Sequence, residues 1–209
     1  AERARTRALL ETREAMFKEL QHRVANNMQF VAAMLTMQQR QVEGTPAAAA
    51  LEEAGARFRA MARVHRRLYD PANADRAFGP LVEELCHELL EATGAKNIVC
   101  RVEVPDVRMP LDRVLALSMI TTEAMTNAIK HAFPDGRPGT IRISLERLPE
   151  DEMAFILADD GQGMSEAAAP TSRSLGMRIM QSFVQQLQGE FSYGPARVGS
   201  EFRMRFKAA

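Results

Sequence analysis

Hydrophobic residues recur every three or four positions in the N-terminal part of the chain, which is the spacing of an amphipathic helix. The pattern predicts one long helix over residues 3–42 and a second over residues 46–69. Between them, Gly44 is suited to ending a helix and Pro46 to starting one. We therefore expect an antiparallel helical hairpin, equivalent to half of a four-helix bundle.

A different pattern follows the turn-rich segment 70–75, which we predict to be a linker and a hinge. Predicted helices and strands are mixed in this part of the chain. The helices are predicted at 79–93, 111–132 and 175–188, and the strands at 98–104, 140–148, 153–159, 190–193 and 201–206. Pro149-Glu150-Asp151 predicts a hairpin turn. This order favours helices on one face of a mixed sheet, an α/β sandwich. The whole chain is predicted to be α+β, with domains at 1–72 and 73–209.

His22 stands on the polar face of the first predicted helix. The apolar stripe of that helix consists of Phe17, Leu20, Val24, Met28, Val31 and Leu35. At about 100° per residue, His22 lies roughly 150° from the centre of the stripe, and Glu19 and Asn26 share its face. A histidine in this position is most often a surface residue without a role, so the rest of the chain must decide.

Composition excludes several classes of function. The chain has 27 basic and 27 acidic residues, so neither a nucleic-acid nor an anionic-membrane surface is expected. No apolar stretch is long enough to predict a transmembrane helix, and we expect a cytoplasmic protein. Cys86 and Cys100 lack metal-binding spacing, which favours reduced core cysteines over a single disulfide. Because the chain starts at Ala1 inside a helical pattern, we expect an upstream domain.

A polar stripe on the helix predicted over 111–132 is suited to nucleotide chemistry. It consists of Glu123, Asn127, Lys130 and His131, spaced three and four apart. An acid, an amide and a base on one face suit Mg²⁺ and phosphate, because the metal takes oxygen ligands and phosphates attract positive charge. The alternative is an ordinary solvated face.

A second cluster lies at the end of a predicted strand. Asp159 is followed by Gly161 and Gly163, which let the backbone approach a ligand. The carboxylate can accept a hydrogen bond from an exocyclic amine such as that of adenine. A plain Asp-Gly turn is the alternative.

The third cluster is a loop that runs into the last predicted helix. Arg173, Ser174 and Gly176 lie where the free backbone amides of the helix start could receive phosphate oxygens. Ser200, before the final strand, offers a further hydroxyl.

In this order and spacing, the three clusters resemble the asparagine box and the two glycine boxes of the GHKL (Bergerat) ATPases, which include histidine kinases and DNA gyrase. The resemblance covers residues 79–206. With the segment 19–27 around His22 and the segment 63–69, the chain is similar to the catalytic core of a sensor histidine kinase of the subgroup related to the HWE kinases. It has no tryptophan, and so lacks the Trp-x-Glu signature of that group, whereas His131 matches the histidine of its asparagine box.

The resemblance implies an ATP- and Mg²⁺-dependent protein-histidine kinase of a bacterial two-component system, with His22 as the phosphoacceptor. It makes Asn127 a metal ligand and Glu123 the acid that holds or orients the metal or water. It makes Asp159 the adenine-reading carboxylate, with Ser200 beside it. The other implied nucleotide contacts are the phosphate-binding and pocket-shaping residues Lys130, His131, Gly161, Gly163, Arg173, Ser174 and Gly176.

The same resemblance suggests roles for two residues near His22. Many histidine kinases carry an acidic residue directly after the phosphoacceptor, whereas this chain has Arg23. Glu19, one turn earlier on the same face, is therefore the candidate base. Asn26 occupies the position of a residue that helps water to remove phosphate from the partner regulator, which predicts an additional phosphatase role.

The implied partners are the receiver domain of a response regulator and an upstream sensory domain. A two-helix hairpin cannot bury all its faces alone, so we expect a homodimer through the hairpin, with a monomer as the alternative. One alternative function is a non-catalytic histidine phosphotransfer or docking protein with a relic GHKL domain. Another is a GHKL serine kinase or ATPase, in which His22 would have no evident purpose.

Overall fold

The computed structural model describes residues 2–69, 77–163 and 174–208. The chain divides into two compact units, Ala1–Ala74 and Asp75–Ala209. The predicted linker at 70–75 and most of the loop before the last helix lie outside the described residues. No helix in the described ranges combines the length and apolar character that crossing a membrane requires.

The first unit is a helical hairpin of α1 (Glu2–Gln41) and α2 (Pro46–Leu68). Gly44 adopts a φ of 82° in the turn, a backbone conformation that glycine favours, and Thr45 Oγ1 donates to the Val42 carbonyl at 2.7 Å. Several of the residues buried between the two helices are small. Ala25 and Ala32 are buried on α1, and Ala32 lies opposite Gly55 on α2.

The predicted apolar stripe of α1 is only partly covered by α2. Val24, Met28 and Leu35 are half-buried, whereas Phe17 is 52% exposed and Leu20 is 58% exposed. Further apolar side chains on α1 are also exposed: Leu9, Met16, Phe30, Met34 and Met37. The hairpin therefore presents a largely apolar surface that its own two helices do not bury.

The second unit contains three helices and five strands in its described part. In chain order these are α3 (Phe78–Thr93), β1 (Ile98–Glu103), α4 (Leu111–His131), β2 (Gly139–Arg147), β3 (Glu152–Asp159), α5 (Leu175–Gln186), β4 (Glu190–Pro195) and β5 (Ser200–Lys207). The predicted elements are all present and differ at their ends by at most two residues. A short 3₁₀ helix at Pro134–Gly136 was not predicted.

The five strands form one sheet in the order β1-β2-β3-β5-β4. β1 pairs parallel with β2 and the other neighbours are antiparallel, as expected for a mixed sheet. Strand residues alternate between a buried face and a charged face. The buried face forms the core with the helices, and its largest side chains include Phe155, Phe202, Ile141, Met153 and Leu157.

The predicted hairpin between β2 and β3 has its turn at Glu150 and Asp151. Both residues have positive φ angles, 62° and 58°, as the two central residues of a tight hairpin turn require. This turn sets the register in which Ile141 pairs with Asp159. Asp159 is thus placed at the last ladder position of β3.

Candidate functional site

His22 lies on the solvent-exposed side of α1. Glu19 and Asn26, which the sequence places on the same face, are also exposed, whereas Ala25 is buried against α2. An exposed imidazole on a rigid helix is accessible to a reagent that approaches from solvent.

An ion pair next to His22 was missing from the sequence interpretation. Arg23 Nε donates to Glu19 Oε1 at 2.8 Å, and both side chains are mostly exposed. Glu19, the candidate base, is therefore held by the same arginine that stands where an acid was expected. Exposed pairs four residues apart on a helix contribute only about 0.3 to 0.5 kcal/mol, so this contact opens readily.

The polar stripe of α4 runs from the protein core to solvent. Glu123 is only 2% exposed, Asn127 is half-buried, and Lys130 and His131 are exposed. An ordinary solvated helix face would leave its acidic side chain exposed. The burial of Glu123 therefore contradicts the solvated-face alternative at this residue.

Four hydroxyl residues inside α4 do not disturb the helix. Ser118, Thr121, Thr122 and Thr126 each donate to the carbonyl four residues earlier, at 2.7 to 2.9 Å. Their polar groups are thereby satisfied within the helix. This allows α4 to lie in the core of the unit and to carry Glu123 and Asn127 at a fixed depth.

Asp159 is a buried carboxylate at the end of β3, with 5% exposure. Its Oδ1 accepts hydrogen bonds from the backbone amides of Gly161 at 3.0 Å and Ser200 at 3.3 Å. Burial raises the pKa of Asp159, and the bonds from Gly161 and Ser200 partly offset that shift. Ser200, at the start of β5, is likewise buried.

Glycines allow the close contacts around Asp159. A Cβ on Gly161 would lie 2.3 Å from the Ala132 carbonyl oxygen, and one on Gly199 would lie 1.9 Å from the Asp159 carbonyl oxygen. Gly199 and Gly163 also adopt positive φ angles, 70° and 76°. Larger residues at 161 and 199 would therefore push the β3 end away from α4 and β5.

The end of β3 is joined to the end of α4 by hydrogen bonds that the sequence did not reveal. Gln162 N donates to the Ala132 carbonyl at 2.9 Å, and Gln162 Nε2 donates to the His131 carbonyl at 2.8 Å. The two segments predicted to be the asparagine box and the first glycine box are thus joined directly by hydrogen bonds.

The segment predicted to be the second glycine box lies at the start of α5. Ser174 is its N-cap, and the Ser174 hydroxyl accepts from the Met177 amide at 3.3 Å. Gly176 is buried in the first turn. Arg173, the predicted phosphate contact, lies outside the described residues.

Tyr193 on β4 is a site residue that the sequence analysis missed. Its hydroxyl and the Asn127 amide are hydrogen-bonded, and its ring packs edge-on against Phe202 with 5.9 Å between ring centroids. Burial and the nearby Asp159 carboxylate raise the pKa of Tyr193 to about 12. Tyr193 therefore lies beside Asn127 and near Asp159. No motif contains it, so only the pairing of β4 with β5 could have located it.

The donor set on α4 fits a magnesium ion held together with a nucleotide. Glu123 and Asn127 provide a carboxylate and an amide oxygen one helical turn apart. The described residues include no group of three or more histidine, cysteine, aspartate or glutamate side chains arranged to hold a metal. Mg²⁺ is commonly bound by one or two protein oxygens plus substrate phosphates, which is the arrangement these residues allow.

Two family models match the chain. One, described as histidine kinase, matches residues 19–93, and the other, described as histidine kinase-, DNA gyrase B-, and HSP90-like ATPase, matches residues 112–209. Together they cover both the helix with His22 and the sheet with Asp159.

Curated relatives carry the same description. Sensor histidine kinase PdtaS of Mycobacterium tuberculosis is 30% identical over 197 residues, covering 92% of this chain and 39% of that protein. Blue-light-activated histidine kinase 2 of Erythrobacter litoralis is 25% identical over 181 residues, covering 83% of this chain and 51% of that protein. The chain thus spans about half or less of the length of these relatives.

A solved structure shares the fold. The histidine kinase domain of the Erythrobacter litoralis EL346 blue-light activated histidine kinase matches with a TM-score of 0.66 at 18% identity, covering 88% of this chain and 96% of that domain. The fold and site define a GHKL-type ATP-binding domain preceded by a helical hairpin. The chain belongs to the histidine kinase family, in the subgroup related to the HWE kinases.

Proposed function

We propose that this chain is the core of a two-component sensor histidine kinase, which phosphorylates its own His22 from ATP and passes the phosphoryl group to an aspartate of a response regulator. The observation that carries the proposal is the buried Asp159 carboxylate, held by the Gly161 and Ser200 amides and lying near Tyr193, which bonds Asn127. A carboxylate buried in this way, within a domain of this family, is suited to accept a hydrogen bond from the exocyclic amine of adenine.

The remaining nucleotide contacts follow from the positions of the boxes. Asn127 and Glu123 hold Mg²⁺, which neutralises phosphate charge when bound. Lys130 and His131, exposed at the end of α4, reach the phosphates. The further pocket residues are Gly161, Gly163, Arg173, Ser174, Gly176 and Ser200.

The chemical step is an in-line displacement. A neutral imidazole nitrogen of His22 attacks the γ-phosphorus, an N–P bond forms, and the P–O bond to the departing ADP breaks. The imidazole proton passes to a base, for which Glu19 is the candidate. Its weak ion pair with Arg23 positions the carboxylate without fixing it permanently.

The phosphoryl group then moves from His22 to an aspartate of the receiver domain. That domain binds around the exposed face of α1. Asn26 lies one turn after His22 on that helix and is exposed. Its amide can orient a water molecule toward the phosphorylated aspartate of the bound regulator, which gives the chain a phosphatase activity as well.

The exposed apolar side chains of α1 support assembly into a homodimer. Met16, Leu20, Phe30 and Met34 recur at helical spacing on a face that α2 does not cover. A second copy would bury this face in a four-helix bundle. Light scattering tests the assembly: Met34→Glu is expected to give monomers, while Ala33→Glu, on the adjacent exposed position, is not. A monomeric wild-type chain would contradict the dimer.

Labelled ATP tests the kinase reaction. With γ-labelled ATP and Mg²⁺, we expect acid-labile labelling that is lost in His22→Ala and in Asn127→Ala. His87→Ala, which removes another exposed histidine, is the matched control and should keep the label.

The other outcomes separate the alternatives. Label that survives in His22→Ala contradicts the phosphoacceptor assignment. A wild-type chain that neither binds Mg²⁺-ATP nor becomes labelled favours the relic domain. An acid-stable label favours a serine kinase.

A further inference from the structure

A cavity of about 300 Å³ lies between α3 and β1. It is lined by Glu83, Cys86, His87, Leu90, Cys100 and Val102. None of the proposed nucleotide-binding residues lines it. The cavity is large enough for a small organic molecule and is a separate feature of the second unit.

Both cysteines of the chain meet at this cavity. Cys86 comes from α3 and is 2% exposed, whereas Cys100 comes from the edge strand β1 and is partly exposed. Both are free thiols, and they are hydrogen-bonded to each other. A buried thiol and a solvent-accessible thiol in contact are the arrangement of a dithiol that can be oxidised.

The contact makes the two thiols chemically unequal. The hydrogen bond from Cys86 lowers the pKa of Cys100, although burial opposes this shift. The same contact, together with burial, raises the pKa of Cys86. Cys100 is also the more exposed of the two thiols and the one a reagent reaches first, so it is the attacking sulfur and Cys86 the second one.

We propose that Cys100 and Cys86 are an oxidation site for hydroperoxides that enter this cavity, and that their reaction closes a disulfide between α3 and β1. The Cys100 thiolate attacks the peroxide: an S–O bond forms, the O–O bond breaks, and the alkoxide leaves and takes a proton to become an alcohol. The Cys86 sulfur then attacks the sulfenic acid, an S–S bond forms, and the S–O bond breaks. Water leaves with the Cys86 proton. Two thiols are oxidised by two electrons and one hydroperoxide is reduced.

The disulfide would join a helix to the edge of the sheet. α3 also packs against α4, which carries Glu123 and Asn127. The link therefore restrains the helical layer on which the nucleotide site is built, and we expect the oxidised chain to unfold at a higher temperature than the reduced chain.

Peptide mapping tests the site on the full chain. After treatment with hydrogen peroxide and alkylation of the remaining thiols, a non-reduced digest is expected to contain a peptide that links Cys86 to Cys100, absent after dithiothreitol. In Cys86→Ser, Cys100 should accumulate as a sulfenic acid that dimedone traps. In Cys100→Ser, Cys86 should react at least about tenfold more slowly than Cys100 does in the wild type.

Cavity access is tested separately. Val102→Phe is expected to slow oxidation by the bulky cumene hydroperoxide at least about fivefold more than oxidation by hydrogen peroxide, because the larger side chain reduces the volume of the cavity that Val102 lines. Alanine replaces serine at either cysteine if a serine variant does not fold. The proposal is overturned by a Cys100 that reacts no faster than glutathione, by oxidation to sulfinic acid without a disulfide, or by links only between chains. Equal slowing of both peroxides in Val102→Phe overturns entry through the cavity.

Discussion

The side chains of Asn127 on α4 and Tyr193 on β4 are hydrogen-bonded to each other, although they are 66 positions apart in sequence. An asparagine amide has one oxygen and one NH₂ group, and only the oxygen can bind a cation. We expect the amide NH₂ to donate to the phenol oxygen, because this direction leaves the oxygen of Asn127 for a cation. Donation to Tyr193 turns the oxygen of Asn127 away from the phenol, where it is available for Mg²⁺.

Tyr193→Phe is therefore expected to weaken binding of an ATP analogue in Mg²⁺ about fivefold, the value of one neutral hydrogen bond. The Phe ring keeps the packing on Phe202, so binding in EDTA should not change. Calorimetric titration with and without Mg²⁺ measures both. Tyr69→Phe removes the only other tyrosine hydroxyl and should have no effect. An equal loss in EDTA would mean that Tyr193 acts on the nucleotide pocket in general.

Asp159→Asn should reduce nucleotide affinity by at least about tenfold, because a hydrogen bond to a charged group is lost. It should also raise the melting temperature of the nucleotide-free chain at pH 7. Burial raises the pKa of Asp159 above its usual 3.8, so the folded chain binds this proton more tightly than the unfolded chain. The carboxylate thus lowers stability above the folded-state pKa.

The pH dependence provides the check on Asp159. The stability cost develops as pH rises from about 3.8 through the folded-state pKa, so the advantage of Asp159→Asn should shrink as pH approaches 4. Thermal unfolding of both proteins across this range measures the difference. A variant that is less stable than the wild type at pH 7 would show that the two amide hydrogen bonds to Oδ1 outweigh desolvation.

Gly199→Ala should destabilise the second unit by at least about 2 kcal/mol. The backbone at this position is left-handed, and an added Cβ would clash with the Asp159 carbonyl oxygen. Gly194→Ala is the control, because a Cβ at that position meets no atom within 4 Å. Urea unfolding of the two variants gives the comparison. Equal midpoints would mean that β5 shifts at little cost.

Much of the fold could be predicted because it depends on local patterns. Helical spacing, strand alternation, and glycine or proline at element ends are readable along the chain, and they place His22, Asn127 and Asp159 on the correct elements. Which elements become neighbours is set by the strand order, in which β5 separates β3 from β4. The contact between Tyr193 and Asn127 depends on that order, so no spacing in the sequence indicated it.

Other omissions were readable but overlooked. Glu19 and Arg23 are four residues apart on one helix, the spacing at which opposite charges pair. Arg23 stands where related kinases carry an acid, and it also lies one helical turn from Glu19. Likewise, Met16, Phe30 and Met34 lie outside the predicted apolar stripe of α1, although they recur at helical spacing too.

The ion pair beside His22 provides a matched test of the base. Glu19→Gln and Arg23→Gln both remove the ion pair, but only the first removes a carboxylate. If Glu19 accepts the imidazole proton, Glu19→Gln should slow autophosphorylation about a hundredfold or more, whereas Arg23→Gln should leave the rate unchanged or raise it. Single-turnover labelling measures both rates. Equal losses would assign the pair a structural role, and no loss would exclude Glu19.

His65 should make the hairpin less stable in mild acid. It is buried, its ring packs 4.5 Å from that of Tyr69, and its Nδ1 has no hydrogen-bond partner within the part of the chain that the structure describes. Burial lowers the pKa of His65 below its usual 6.5, so below this pH the unfolded chain binds the proton first. The free energy of unfolding should therefore fall as pH drops below about 6.5, until the folded-state pKa is reached.

A single fluorophore can follow this transition. The chain has no tryptophan, and in a Tyr193→Phe background Tyr69 is its only tyrosine, so tyrosine fluorescence during urea unfolding reports the hairpin alone. His65→Phe keeps an aromatic ring against Tyr69 and should remove most of the pH dependence between 7 and 5, while His22→Gln, at an exposed position, should retain it. A pH dependence that persists in His65→Phe would place its origin in other groups of the hairpin.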